Sequence, residues 1–266
     1  MKNIAMITTA RTGSSFFTRS VQKNFNFLKG NAEIFHPNND LEKIINNILS
    51  ANKFHPKNLL KKDIDKAIRE KEKYKKNPDL LLSLLNKITL ELNLDGLFFK
   101  IMNGHLKNTD EDLKSLIKRD SINFFYLTRL VTDVIISSLK AKKSNKWEQL
   151  DTTDYKIFVD PEEFLGTYKR FSKWLNDSYR CISKNNEIRI IKYEDIFNKE
   201  NKPNEKIFNF INDFVEDKLS FIEFEALKQQ DRNASWEDKI SNPEDIKEVM
   251  IENNIPEHFS EVCEDI

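Results

Sequence analysis

The chain is short of the residues that build stapled, membrane-spanning or ATP-cradling scaffolds. Two cysteines, Cys181 and Cys263, give neither a disulfide framework nor metal-ligand spacing. No apolar run approaches the roughly 18 residues of a membrane span. The N-terminus enters an apolar strand directly, Met1-Lys2-Asn3-Ile4-Ala5, without the layout of a signal peptide, so a cytoplasmic location is expected. Glycine is scarce, five in all, and the Walker pattern G-x-x-x-x-G-K-[ST] is absent. The four histidines, His36, His55, His105 and His258, are scattered and no carboxylates cluster at ligand spacing, so no metal is expected. No internal repeat is visible.

What is present is an ordinary globular composition, 39% hydrophobic and 32% charged over 266 residues, long enough for one large core. Net charge is zero but unevenly placed. Residues 1–193 hold 35 Lys/Arg against 23 Asp/Glu, or +12, and residues 194–266 hold 8 against 20, or −12. The first part is the one suited to an anionic ligand. The stretch Lys53–Lys76 alone has ten basic and four acidic residues. Only Phe54 and Tyr74 interleave with them as aromatics, so the stretch reads as a solvated helix face and no nucleic-acid partner is expected.

Turn signals fall between elements, which predicts a single domain over 1–266. Short apolar runs predict strands at Ile4–Thr8, Glu33–Phe35, Leu97–Met102, Ile122–Leu127 and Glu187–Tyr193. Helical periodicity between them predicts helices over Ser15–Phe27, Leu41–Ala51, Asp63–Lys75, Asp79–Leu92, Glu111–Arg119, Thr132–Lys142 and Pro161–Ile182, with loops at 52–62 and 194–204. Ser235 to Asp238 reads as a capping box, and Asn242 as an N-cap before Pro243. This alternation predicts an α/β, P-loop-like, three-layer fold with a central mainly parallel sheet flanked by helices. Ligands of such sheets bind beyond the carboxyl ends of the strands.

Two segments carry the chemistry. Ile4 to Phe17 reads I-A-M-I-T-T-A-R-T-G-S-S-F-F, a strand, a turn holding Arg11, Thr12, Gly13, Ser14 and Ser15, and a helix start. Backbone N–H groups converge at such a start and the helix dipole favours negative charge, so the turn suits a phosphate or sulfate ester. Tight strand–helix turns are also often purely structural. Further on, Arg129 ends an apolar strand and Ser137 follows eight residues later inside a helix. A guanidinium fork matches phosphate oxygens and a hydroxyl adds a donor. Equally, Arg129 could cap the sheet edge against a carboxylate while Ser137 packs.

Taken together, T-A-R-T-G-S-S-F and the Arg129/Ser137 pair resemble the two cofactor motifs of sulfotransferases that use 3′-phosphoadenosine 5′-phosphosulfate. The chain is most similar to the bacterial carbohydrate enzymes of the trehalose-sulfating type. Glu33-Ile34-Phe35 resembles that group's Glu-aromatic-Phe, and Lys100-Ile101-Met102 its Lys-hydrophobic-Met strand. Tyr193-Glu194-Asp195 and Lys228-Gln229-Gln230-Asp231…Trp236 match its late elements. The chain departs from the pattern at Ala10, where proline is usual, at Thr12, where a smaller residue is usual, and at Ile34, where tyrosine is usual. It also lacks the glycine-containing basic tail of the animal cytosolic enzymes, leaving Arg232 and Lys239 as the cations at hand.

The resemblance implies roles. Thr12 to Ser15 would hold the 5′-phosphosulfate by backbone N–H groups, with Ser14 and Ser15 adding hydroxyls. Arg11 would neutralise the leaving oxygen, and Arg129 with Ser137 would grip the 3′-phosphate. Glu33 would be the general base, with His36 as its substitute, and Lys100 would stabilise sulfuryl oxygens or orient Glu33. Glu33 could instead be an edge carboxylate paired with Lys29, and Tyr193–Asp195 reads as structural. Trp147 and Trp236 are left outside the site as packing residues. In-line sulfuryl transfer does not require a metal ion. The acceptor would be a glycan or other small hydroxyl compound, met by residues 36–96 as a helical insert. A small-molecule kinase and a non-catalytic nucleotide-binding protein are the competing classes; the kinase lacks its turn lysine.

Overall fold

The computed structural model describes residues 3–30, 32–56, 58–106, 109–118, 122–145, 155–184, 188–196, 204, 207, 211–212 and 235–264. Its centre is a four-stranded sheet of β1 (Asn3–Thr8), β2 (Phe98–Met102), β3 (Ile122–Thr128) and β4 (Arg189–Lys192), in the order β2-β1-β3-β4. Every pairing is parallel: Ile4 lies beside Phe98 and Asn123, and Phe125 beside Arg189. β1, β2 and β3 each lead into a segment with helices before the next strand, which is the crossover connection a parallel pair requires.

The strands β1, β2 and β3 are buried on both faces, so their side chains divide by parity, while the edge strand β4 buries Ile191 and exposes Arg189 and Lys192. Ile4 and Met6 meet Phe17 and Val21 of α1 (Ser14–Asn24), together with Phe98, Phe125 and Leu127. Ala5 and Ile7 join the larger core on the opposite face, with Phe99, Ile101, Phe124 and Tyr126. The helices of that face include α7 (Val131–Ser144) and α8 (Pro161–Ile182). Buried Tyr126 hydrogen-bonds Ser178 of α8 at 2.9 Å, and Trp174 of α8 donates its indole N–H to the Thr8 carbonyl at 3.0 Å. Helix, sheet and helix thus form the three-layer α/β fold that the alternation predicts.

Residues 36–96 carry α2 (Leu41–Ala51), α3 (Asn58–Arg69), α4 (Lys71–Lys75) and α5 (Pro78–Glu91). Asp40 caps α2 by accepting the Glu42 N–H at 2.8 Å, and Asn77 caps α5 by accepting the Leu80 N–H at 3.2 Å, with Pro78 at its first turn. The expected loop at 52–62 is helical from Asn58 onward. Leu60, Ile64 and Ala67 of α3 turn inward while Lys61, Lys62, Lys66 and Arg69 are exposed, so the lysine-rich stretch is a solvated face. After β2 comes α6 (Thr109–Ile117), and late in the chain α9 (Pro243–Glu252).

Three other expectations change. Glu33–Phe35 is a turn, not a strand. The chain meets the edge of β2 through the Phe27–Gly96 bridge and Leu28 N–H to Gly96 O (3.0 Å), then swings away at Gly30, whose φ of 122° glycine adopts readily. It returns so that the Ala32 carbonyl accepts the Lys100 N–H at 2.9 Å, and Glu33 O closes a turn by accepting His36 N–H. At Ser235–Asp238 the structure has a short 3₁₀ turn, Glu237–Lys239, with Ser235 bonded to Glu237, instead of a full capping box. Asn242 precedes α9 as expected, but its amide is engaged with the Val159 backbone and Asp245. No described helix is long and apolar enough to cross a membrane.

Candidate functional site

The carboxyl ends of β1, β2, β3 and β4 present Thr9 to Ser15, the loop after Met102, Arg129 and Tyr193 along one edge of the sheet. The turn after β1 is fixed from within. The Thr8 and Thr12 hydroxyls hydrogen-bond each other, Thr8 also donates to Leu127 O at 2.9 Å, and Thr12 to Thr9 O at 3.1 Å. Gly13 is the N-cap of α1 with φ 81°, and among the described residues no side chain caps the helix there. Its first N–H groups are therefore directed at whatever occupies the turn. Arg11 takes φ 68°, an uncommon conformation for a residue with a Cβ and one that recurs at functional turns.

On one side of the turn lies a buried cation. Lys100 arrives from β2, is 3% exposed, and places Nζ 2.7 Å from Glu33 Oε1. The same Nζ donates to Ser15 Oγ at 3.0 Å and reaches Ser14 Oγ at 3.5 Å. Burial pulls the Glu33 pKa upward, but the Lys100 charge and hydrogen bond, helped by His105 and His36, outweigh it and hold the carboxyl below its ordinary value. The partner of Glu33 is thus Lys100. His36 and His105 stand beside it with ring centroids 5.1 Å apart. Burial drives the His105 pKa down to about 4, so its ring is neutral at neutral pH.

On the other side lies a network built on Arg129. Its Nη2 binds Asp133 Oδ2 at 3.1 Å, its Nη1 approaches Arg11 O at 3.5 Å, and its guanidinium stacks over Tyr193 at 4.7 Å. The Tyr193 ring in turn fills the space a Cβ on Gly13 would need. Asp133 also holds Lys239 at 2.9 Å. Burial raises the Asp133 pKa, but the two cations and their hydrogen bonds bring it below its usual value. Ser137 accepts Arg11 Nε–H at 3.0 Å, so the hydroxyl expected beside Arg129 is engaged by the other arginine. Glu194 accepts the Leu130 N–H at 3.2 Å and meets His258 Nε2 at 3.0 Å, tying β4 to the start of α7 and to the C-terminal segment.

The structure thus gathers Arg11, Thr12, Gly13, Ser14, Ser15, Glu33 and Lys100 around one turn, with Arg129 and Ser137 adjoining it through Arg11. Lys239, read from sequence as an available cation, is 9% exposed and committed to Asp133. Trp236 is partly buried against the core. Trp147, Arg232 and Lys228–Asp231 lie outside the described residues. Sequence reasoning missed Asp133, although its place four residues after Arg129 is the spacing of a helical ion pair. It also missed the meeting of His36 with His105, which are far apart in the chain and joined only by the sheet. Comparison with protein-family models, with curated proteins and with solved structures finds no match to this chain.

Proposed function

We propose that this chain transfers a sulfuryl group from 3′-phosphoadenosine 5′-phosphosulfate to a hydroxyl of a carbohydrate or other small acceptor. The observation that carries the reading is buried Lys100, which links the Glu33 carboxylate to the Ser14 and Ser15 hydroxyls at an uncapped helix start. One ammonium thus spans a proton acceptor and an anion-binding turn. A turn of this kind with its cation delivered from the neighbouring strand suits a sulfuryl ester, where an ATP loop would carry its own lysine.

In the proposed reaction the α1 N–H groups and the Ser14 and Ser15 hydroxyls hold the sulfuryl and 5′-phosphate oxygens. Lys100 then shares its charge with those oxygens, and Glu33, relieved of part of its ion pair, becomes a stronger base. Glu33 accepts the proton of the acceptor hydroxyl as that oxygen attacks sulfur in line. Arg11 neutralises the charge that builds on the departing phosphate oxygen. Arg129, one ring away from Gly13, would bind the 3′-phosphate in exchange for part of its contact with Asp133. The acceptor would approach from the side of Glu33 and the helices of 36–96.

Calorimetric titration with adenosine 3′,5′-bisphosphate, with ATP and magnesium run beside it, tests the donor site. Tight binding of the bisphosphate and weak binding of ATP is the expected result; the opposite preference would overturn the proposal and bring a kinase forward. Glu33→Gln is expected to keep bisphosphate affinity and lower turnover by roughly 10²–10⁴-fold. Full turnover in that variant would remove Glu33 as the base.

A further inference from the structure

Glu33, His36 and His105 each offer a ligand atom, and these atoms lie within 4.8 Å of one another. His105 is 7% exposed, and among the described residues its Nδ1 is buried with no hydrogen-bond partner. A buried nitrogen lone pair without a donor is uncommon, because its lost hydration goes uncompensated unless something binds there. We infer that Glu33, His36 and His105 form a binding site for a divalent first-row metal ion such as Zn²⁺.

The chemistry of the set fits that ion. Two imidazoles and one carboxylate suit Zn²⁺ and its neighbours, and three protein ligands leave a coordination position open to solvent or to an incoming hydroxyl. Ligand distances of about 2.0–2.2 Å put ligand atoms no more than about 4 Å apart, so the set closes by a small rotation. His36 supplies it, being half-buried on a turn. Its Nδ1 accepts the Asn38 N–H at 3.2 Å in an exposed bond that water can replace. Nearby positive charge sets the affinity below that of a site free of cations, in the micromolar range rather than that of a structural zinc site.

This inference stands independently of sulfuryl transfer, because it is read by binding alone. Zn²⁺ titrated calorimetrically into the full chain is expected to bind at one ion per chain. His36→Gln, on a half-exposed turn where folding is safe, should weaken that binding at least tenfold, as should Glu33→Gln and His105→Gln. His258→Gln and His55→Gln should leave it unchanged. Bound Co²⁺ should show the visible bands of a low-coordinate site, lost in His36→Gln. Absence of saturable Zn²⁺ binding, or binding unmoved by His36→Gln but removed by His258→Gln, would overturn the inference.

Discussion

At the scale of single residues, the site is governed by where charge is buried and what answers it. Lys100 is almost wholly buried, and Glu33 retains about a third of its side-chain surface. Lys100→Met should therefore destabilise by about 2–4 kcal/mol, at or below the usual cost of breaking a buried pair because Glu33 can still turn to water. Combining it with Glu33→Gln should recover about 1–2 kcal/mol in urea denaturation, since the two residues are coupled. Losses that simply add would show that the pair contributes no net attraction. Arg129→Ala is expected to weaken adenosine 3′,5′-bisphosphate by about 1–3 kcal/mol, the scale of a charged hydrogen bond; calorimetry with unchanged affinity would take Arg129 out of the site. The residues themselves were legible: Arg11, Gly13, Ser14, Ser15, Glu33, Lys100 and Arg129 stand out by type and position along strand ends. Their partners were not. Ser137 meets Arg11, and Lys239 meets Asp133, because those pairings depend on how the C-terminal segment and α7 fold back over the sheet edge.

At the scale of elements, helix starts read from periodicity held where a side-chain cap secures them, whereas the capping signals read at Ser235 and Asn242 did not form as read. Asp40, Asn77 and Asp160 mark helix starts through side chains that accept an N–H two or three residues on, and these helices begin where expected, within a residue. Glu33–Phe35 failed as a strand because three apolar-flanked residues give no period, and Pro37 and the Glu33–His36 turn end the extended run. The junction of β1 with α1 depends on Gly13 twice, for its φ of 81° and for the Tyr193 ring that lies where a Cβ would be. Gly13→Ala should therefore destabilise by about 2–4 kcal/mol, combining backbone strain with overpacking. Adding Tyr193→Leu should recover only the overpacking part and leave the strain. A thermal melt of the two variants separates these contributions, and a Gly13→Ala protein as stable as the parent would mean that the turn rearranges freely.

At the scale of the whole molecule, opposite charges segregate along the chain and meet again in space. The two parts are joined where Asp133 and Arg129 of the first meet Lys239 and Glu194 of the second: Asp133 clasps Arg129 and Lys239, and Glu194, which holds His258 of its own part, lies 3.9 Å from Arg129. Both carboxyls are raised by burial yet end below their ordinary values, Asp133 through Arg129 and Lys239, Glu194 through His258 and backbone N–H groups. A carboxyl whose pKa is lower folded than unfolded adds stability that is fully present above the unfolded value, about 4 for these side chains, and is lost as pH falls through the folded value. Below that window the unfolded chain no longer differs from the folded one in protons bound at these sites. Melting temperature should accordingly hold between pH 7 and pH 5 as far as these two groups are concerned, then fall steeply from pH 4 toward pH 2. Asp133→Asn starts from a lower plateau, because Arg129 and Lys239 lose their shared anion, and should show a shallower acid limb, because one of the groups that drive it is gone. Melts of parent and variant across that range decide the matter: parallel acid limbs would mean that the clasp at Asp133 does not fasten the C-terminal segment to the edge of the sheet where the proposed nucleotide binds.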